Sequence, residues 1–227
     1  MSFASKRVVW GILCAMVLCL VAASSAQAGP VTLSGYVFHN NSNVGNAVLG
    51  SVPSLGTADV TFSVTTSTGI DFDSRSGGNN AANYTLAQFL ATGGATGISG
   101  SATALADMLS GPGNVGDLFF LTGITNIVNG ETFTVTQDDG MSMYINGIAF
   151  FSNPGPTAPV THTFTYSGST LTGATLDIVY GECCGAPAVL QTNVPTGGNQ
   201  TPEPGTLLLL GTGLIGLGGA VRRRLAL

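Results

Sequence analysis

The 227-residue sequence predicts a mainly β domain, an antiparallel β-sandwich of jelly-roll type with one or two short helices, flanked by a signal helix at the N-terminus and a hydrophobic helix at the C-terminus. Three observations carry that prediction. Apolar residues alternate with Thr and Ser in short runs, the period of two that marks a half-buried strand. Asn-Gly, Gly-Gly and Asp-Gly pairs punctuate the runs and reverse the chain tightly. Between the two terminal segments, only Tyr84 to Leu90 and Ala102 to Leu109 read as helix, and both are short.

In chain order, Val31 to His39 and Ala58 to Thr66 read as strands, the second setting Val60, Phe62 and Val64 against Thr61, Ser63 and Thr65. Asp71 to Asn80 breaks that regularity and reads as a loop, and the glycine-bearing stretch Gly93 to Gly100 separates the two helices. Leu118 to Val128 and Glu131 to Thr136 form strands around an Asn129-Gly130 turn, with Phe133 and Val135 on one face. Asp138-Asp139-Gly140 then leads into alternating Met141, Met143 and Ile145, and Asn146-Gly147 turns the chain again. Turns this close predict an antiparallel meander. After Ile148 to Phe151 and the loop Asn153-Pro154-Gly155-Pro156, strands are expected at Thr161 to Tyr166, Thr175 to Tyr180 and Ala188 to Thr192. The loop Gly181 to Pro187 precedes the last of these.

The ends carry processing signals. Lys6 and Arg7 precede an apolar run from Val8 to Ala23, and Ala26-Gln27-Ala28 follows, the small-residue pattern of a cut after Ala28. The run is shorter than the roughly 20 residues that span a bilayer. A secretory peptide at 1–28 implies the Sec translocon and signal peptidase as partners. At the other end Pro202-Glu203-Pro204 leads into an apolar helix, 206–221, that stops at Arg222, Arg223 and Arg224. At about 24 Å it falls short of a ~30 Å hydrocarbon core, and the arginines indicate a cytoplasmic end. The order Pro-Glu-Pro, glycine-rich helix, arginine cluster over 201–227 resembles the PEP-CTERM sorting tail of Gram-negative bacteria. That resemblance implies cleavage by an exosortase-type membrane protease, transient inner-membrane association of the precursor, and a final place at the cell surface or in the extracellular matrix.

Without its ends the chain changes character. Five of the six basic residues lie in the signals, so residues 29–204 hold eleven acidic residues against Arg75 alone, a net charge of −10 where the whole chain carries −5. Nucleic acid is excluded as a partner, since phosphate binding requires Lys and Arg. Cations suit such a surface. The mature chain keeps one adjacent cysteine pair, Cys183-Cys184, open to a vicinal disulfide, a bridge to another chain or two free thiols. A zinc site is not expected, because only His39 and His162 are available to complete a tetrahedral set.

The segment Phe133 to Gly147, with its Asp-Asp-Gly and Asn-Gly pairs, followed by a strand ending at Tyr180 and by Gly185-Ala-Pro-Ala-Val-Leu, resembles the protective-antigen-type β-sandwich that includes the GLEYA and flocculin adhesins. It covers roughly 115–192 of a single β-rich domain at 29–200. In the adhesins two consecutive aspartates hold a calcium ion that also takes sugar hydroxyls, and by resemblance Asp138 and Asp139 fill that role. Adjacent carboxylates suit an ion that wants six to eight oxygens; an acidic turn would use the same residues. The second loop of the adhesin site corresponds to Gly181 to Ala186, where Glu182 and the cysteine pair stand. Asp71 to Gly77 begins like a calcium loop but places Arg75 where the third ligand belongs, and reads as a polar surface loop.

Catalysis is not expected: no Gly-x-Ser-x-Gly elbow, His-Glu-x-x-His or phosphate-cradling loop is present, and His162 with Cys183 or Cys184 is a thin basis for a thiol nucleophile. Three classes remain. The first is a non-catalytic binding module, calcium-dependent and directed at extracellular polysaccharide. The second is a structural exopolysaccharide-matrix protein without a defined ligand. The third is ice binding, suggested by the row Thr161, Thr163, Thr165 and by ice-binding proteins that share such a tail.

Overall fold

A computed structural model describes residues 29–77, 84–109 and 116–194, together with Gly213. The signal segment with Ala26 and Ala28, the Pro202-Glu203-Pro204 motif, the helix at 206–221 and the three arginines lie outside the described residues. Among the described residues no helix is long and apolar enough to cross a membrane.

Among the described residues eleven strands form two antiparallel sheets. The large sheet is built from β1 (Val31–Asn41), β2 (Val60–Thr66), β4 (Thr96–Gly100), β5 (Gly116–Ile127), β7 (Gly140–Ile145), β8 (Ile148–Asn153) and β10 (Leu171–Glu182), in the order β4-β2-β1-β5-β10-β7-β8. The small sheet is β3 (Ile70–Asp73), β11 (Val189–Thr192), β6 (Thr132–Asp138) and β9 (Val160–Thr165), in the order β3-β11-β6-β9. Alternation explains the packing. Leu33, Phe62, Leu121, Ile178 and Met143 of the large sheet share one core with Phe72, Phe133, Val135 and Leu190 of the small one. Two helices, α1 (Leu86–Thr92) and α2 (Ala102–Ala106), are capped by Thr85 and Ser101 respectively, and α1 adds Leu86, Phe89 and Leu90 to the core. The outer face of the large sheet is covered locally too, where Val44 and Ala47 pack on Leu118, Phe120 and Val179.

Several expectations give way. The meander is replaced by repeated crossing between sheets: β5 pairs with β1 and β10, β6 with β11 and β9, and β7 with β10 and β8. Of the strands that the turns were expected to link, only β7 and β8 form a hairpin, on Asn146-Gly147, where both residues take the positive φ that such a turn needs. Alternation fixes which face a side chain takes, not which strand lies beside it. The expected loop 71–80 begins as β3, since Ile70 and Phe72 are buried while Asp71 is exposed, and continues as a 3-10 turn at Ser74–Gly77. The expected linker 93–100 contains the edge strand β4; all five of its residues are exposed, so no apolar pattern announces it.

Candidate functional site

Asp138 closes β6 in the small sheet and Gly140 opens β7 in the large one, so Asp139 stands where the chain passes between sheets. The Asp138–Asp139 peptide is cis. Gly140 has a steric reason: a Cβ there would run into the Pro154 carbonyl. The 153–157 loop and the end of β10 therefore close on Asp139 from two sides. The Thr157 N–H donates to Asp139 Oδ1 at 3.2 Å and the Cys183 N–H to Oδ2 at 2.8 Å. Only 7% of Asp138 and 5% of Asp139 is exposed.

Tyr180 forms the floor. Period two along β10 turns Tyr180 and Glu182 to the inner face, and both are fully buried. The phenol oxygen contacts the Asp138 backbone carbonyl, lies 2.5 Å from Glu182 Oε2, and accepts the Val189 N–H at 3.2 Å. One hydroxyl proton cannot serve both oxygens; a protonated Glu182 that donates to the phenol, with the phenol donating to Asp138, satisfies all three contacts. Electrostatics agree. Burial pushes Glu182 well above the ordinary carboxylate range; its bond with Tyr180 opposes this, while the charges of Asp139, Asp138 and Asp117 reinforce it.

Asp117 faces Glu182 directly across β5 and β10 and is fully buried. Burial raises it to about 7 against the opposing pull of His39. Asp138 also rises to about 7, first through burial and then through the charge and hydrogen bond of Asp139. Asp139 is raised by burial and held back by its two N–H donors. Two bases stand near. His39 joins Asp117 Oδ1 at 2.8 Å and Asp107 Oδ2 at 3.2 Å; burial lowers its pKa, but these two partners outweigh that and leave it raised. Arg75 is committed to Asp73 at 2.8 Å. Three buried oxygens, Asp117 Oδ2, Glu182 Oε1 and Gln137 Oε1, have no hydrogen-bond partner among the described residues.

Asp138, Asp139, Glu182, Cys183 and Cys184, singled out in the sequence, thus meet at one end of the sandwich. Glu182 differs in position: it ends β10 instead of belonging to a surface loop, and its carboxyl is turned into the interior. Cys183 and Cys184 are joined to each other as a disulfide. Sequence reasoning missed Asp117, Tyr180, Gln137 and His39. For Tyr180 a signal existed, since it lies two residues before Glu182 on one strand. For Asp117 none did, because its partner lies 65 positions away in the sequence. The Thr161, Thr163, Thr165 row stands opposite Thr136, Thr134 and Thr132, and the outer pairs bond to each other, Thr136 to Thr161 at 2.9 Å and Thr132 to Thr165 at 3.3 Å. This is ordinary cross-strand pairing.

The PEP-CTERM protein-sorting motif matches residues 200–224. That tail marks the chain for export and sorting to the cell surface, with processing by an exosortase-type membrane protease. No curated protein matches the chain. Among solved structures, the domain is similar to the PA14 domain of the MpAFP antifreeze protein, with a TM-score of 0.42 and 21% identity over 73% of this chain and 79% of that one. It is also similar to a PA14 sugar-binding domain from an RTX adhesin, with a TM-score of 0.43 and 21% identity over 73% and 87%. A GH31 alpha-xylosidase from Xanthomonas citri is similar at a TM-score of 0.36 and 10% identity, over 73% of this chain and 15% of that one.

Proposed function

We propose that the exported domain is a non-catalytic, calcium-dependent carbohydrate-binding module, with the ion held by the Asp138 and Asp139 carboxylates. The observation that supports this reading best is the concentration of acid at one end of the sandwich. Burial raises Asp117, Asp138, Asp139 and Glu182 alike, the charge of Asp139 adds to Asp138, and the charges of Asp139, Asp138 and Asp117 add to Glu182, in a setting where Arg75 is already engaged. A divalent cation relieves such a cluster, because it converts mutual repulsion into shared attraction.

The donor set fits calcium. Both groups are hard oxygen ligands, and each Asp139 oxygen spends one lone pair on a backbone N–H and keeps another. Two carboxylates supply at most four of the six to eight oxygens that calcium takes, and sugar hydroxyls with water can fill the rest. When bound, the ion supplies charge to orient neighbouring hydroxyls. The chain's own part is to position the aspartates: Tyr180 bonds the Asp138 carbonyl, and Thr157 and Cys183 fix the Asp139 carboxylate. Buried and neutral, Glu182 acts in this reading as a support for the aspartates and not as a ligand.

The test is glycan-array and exopolysaccharide pull-down binding with calcium, with chelator, and with Asp138→Ala plus Asp139→Ala. Binding that vanishes with chelator and in the double variant is the expected result. Sugar binding indifferent to both would overturn the proposal.

A further inference from the structure

The cysteine pair has a chemistry of its own beside Asp139. One ligating atom from each of Asp139, Cys183 and Cys184 lies within 4.8 Å of the other two. Asp139 and Cys183 are buried, whereas Cys184 is exposed, so the cluster has one side open to solvent. Donors on a tetrahedral ion with bonds of about 2.0–2.3 Å sit about 3.3–3.8 Å apart; reduction lets the two sulfurs, bonded to each other in the disulfide, separate to that spacing, and the Asp139 oxygen lies within a short movement of it. Counting histidines in the sequence could not reveal it. The third donor is a carboxylate 44 positions before Cys183.

We propose that, once the disulfide is reduced, Cys183, Cys184 and Asp139 form a site for a thiophilic divalent ion of the zinc class, with water in the fourth position. Two thiolates and a carboxylate select such an ion, because soft sulfur donors favour zinc and cadmium while calcium seeks oxygen. The reductant is a small-molecule thiol. Two of its molecules pass two electrons to the S–S bond, leave as their own disulfide, and deliver their two protons to Cys183 and Cys184. Metal binding then displaces both protons to solvent. Asp139 is the ligand that the two sites share, so the oxidised chain takes calcium and the reduced chain takes zinc-class metal at its expense. The competition rests on the calcium reading; the thiolate site does not.

The experiment compares purified oxidised protein with protein reduced by excess monothiol and desalted under nitrogen, each titrated with Cd²⁺. Reduced protein is expected to bind one Cd²⁺ per chain with a thiolate-to-metal charge-transfer band, Zn²⁺ to displace it, and the zinc-loaded form to bind calcium at least tenfold more weakly than the oxidised form. Cys184→Ser, at an exposed position, removes the band, and Asp139→Asn weakens Cd²⁺ binding at least tenfold. A reduced protein with no more Cd²⁺ absorption than the oxidised one, or unchanged affinity in Asp139→Asn, overturns the proposal. Oxidised protein that binds no calcium, beside reduced protein that shows the band, removes the calcium reading and supports the thiolate site.

Discussion

Two aspartate-rich stretches flank the same strand and behave in opposite ways. Val189 in β11 pairs with Asp73 on one side and with Asp138 on the other. On the Asp73 side every carboxylate is spoken for. Asp71 is exposed and accepts from Gln191 at 2.7 Å, Asp73 takes the Arg75 guanidinium at 2.8 Å and the Arg75 N–H at 2.8 Å, and Phe72 between them is buried against Phe89. On the Asp138 side both carboxyls are nearly buried and neither has an ion-pair partner among the described residues. Density of acid is the same in both; what differs is whether a base and water already neutralise it. A carboxylate gripped by guanidinium has little left to offer a cation, and one buried beside another carboxylate has much to gain.

The sharpest way to break that contrast is substitution. Asp138→Ala with Asp139→Ala should weaken calcium binding by at least 100-fold in calorimetry, while Asp71→Ala with Asp73→Ala should change it less than about twofold, since only the first pair supplies ligands. Comparable losses in both would erase the distinction.

Next comes the floor of the site. Tyr180→Phe strands the Asp138 carbonyl, the Glu182 carboxyl and the Val189 N–H together, so denaturant unfolding should show a loss of about 1–3 kcal/mol. Glu182→Gln keeps a donor toward the phenol and should cost under about 1 kcal/mol. An equal cost for both would contradict a Glu182 carboxyl that donates to the phenol.

The pH dependence follows with a definite sign. Asp117 and Asp138 titrate near 7 in the folded protein, against the ordinary 3.8. Folding therefore takes up protons between those values, and calcium-free stability falls as pH rises through that window. A raised His39 acts in the same sense: its contribution is fully present below its ordinary 6.5 and is lost above. Thermal unfolding without calcium should occur at least about 5 °C lower at pH 8 than at pH 5, and calcium should restore stability at pH 8. A rise in stability from pH 5 to pH 8 would contradict this.

The smallest effect is expected on the threonine face. Thr163→Ala, at an exposed position on β9, should move stability by less than about 0.5 kcal/mol. Purified protein should give no thermal hysteresis; a measurable value would return ice binding to consideration.

Much of the strand content was legible in residues such as Val60, Phe62 and Val64, whose burial follows their alternation. Partnership between strands was not. Asp138-Asp139-Gly140 reads as a hairpin because its residues favour turns, yet it carries the chain from one sheet to the other. Asp138 and Asp139 could be picked out as a pair of hard ligands, while the Cys183 N–H that fixes Asp139 lies 44 positions on, and Asp117 becomes relevant only because β5 and β10 align it with Glu182. β4 left no pattern at all, since an exposed edge strand buries neither face.

The comparison between the two aspartate stretches reduces to whether calcium occupies one and not the other. Calcium titration of the oxidised protein at pH 7.5, followed by nuclear magnetic resonance of backbone amides, tests this most directly. One ion per chain should bind, with shifts centred on Asp138, Asp139, Gly140, Thr157 and Cys183 and none at Asp71 to Arg75. Saturable shifts centred on Asp71 to Arg75, or no saturable shifts at all, would contradict it.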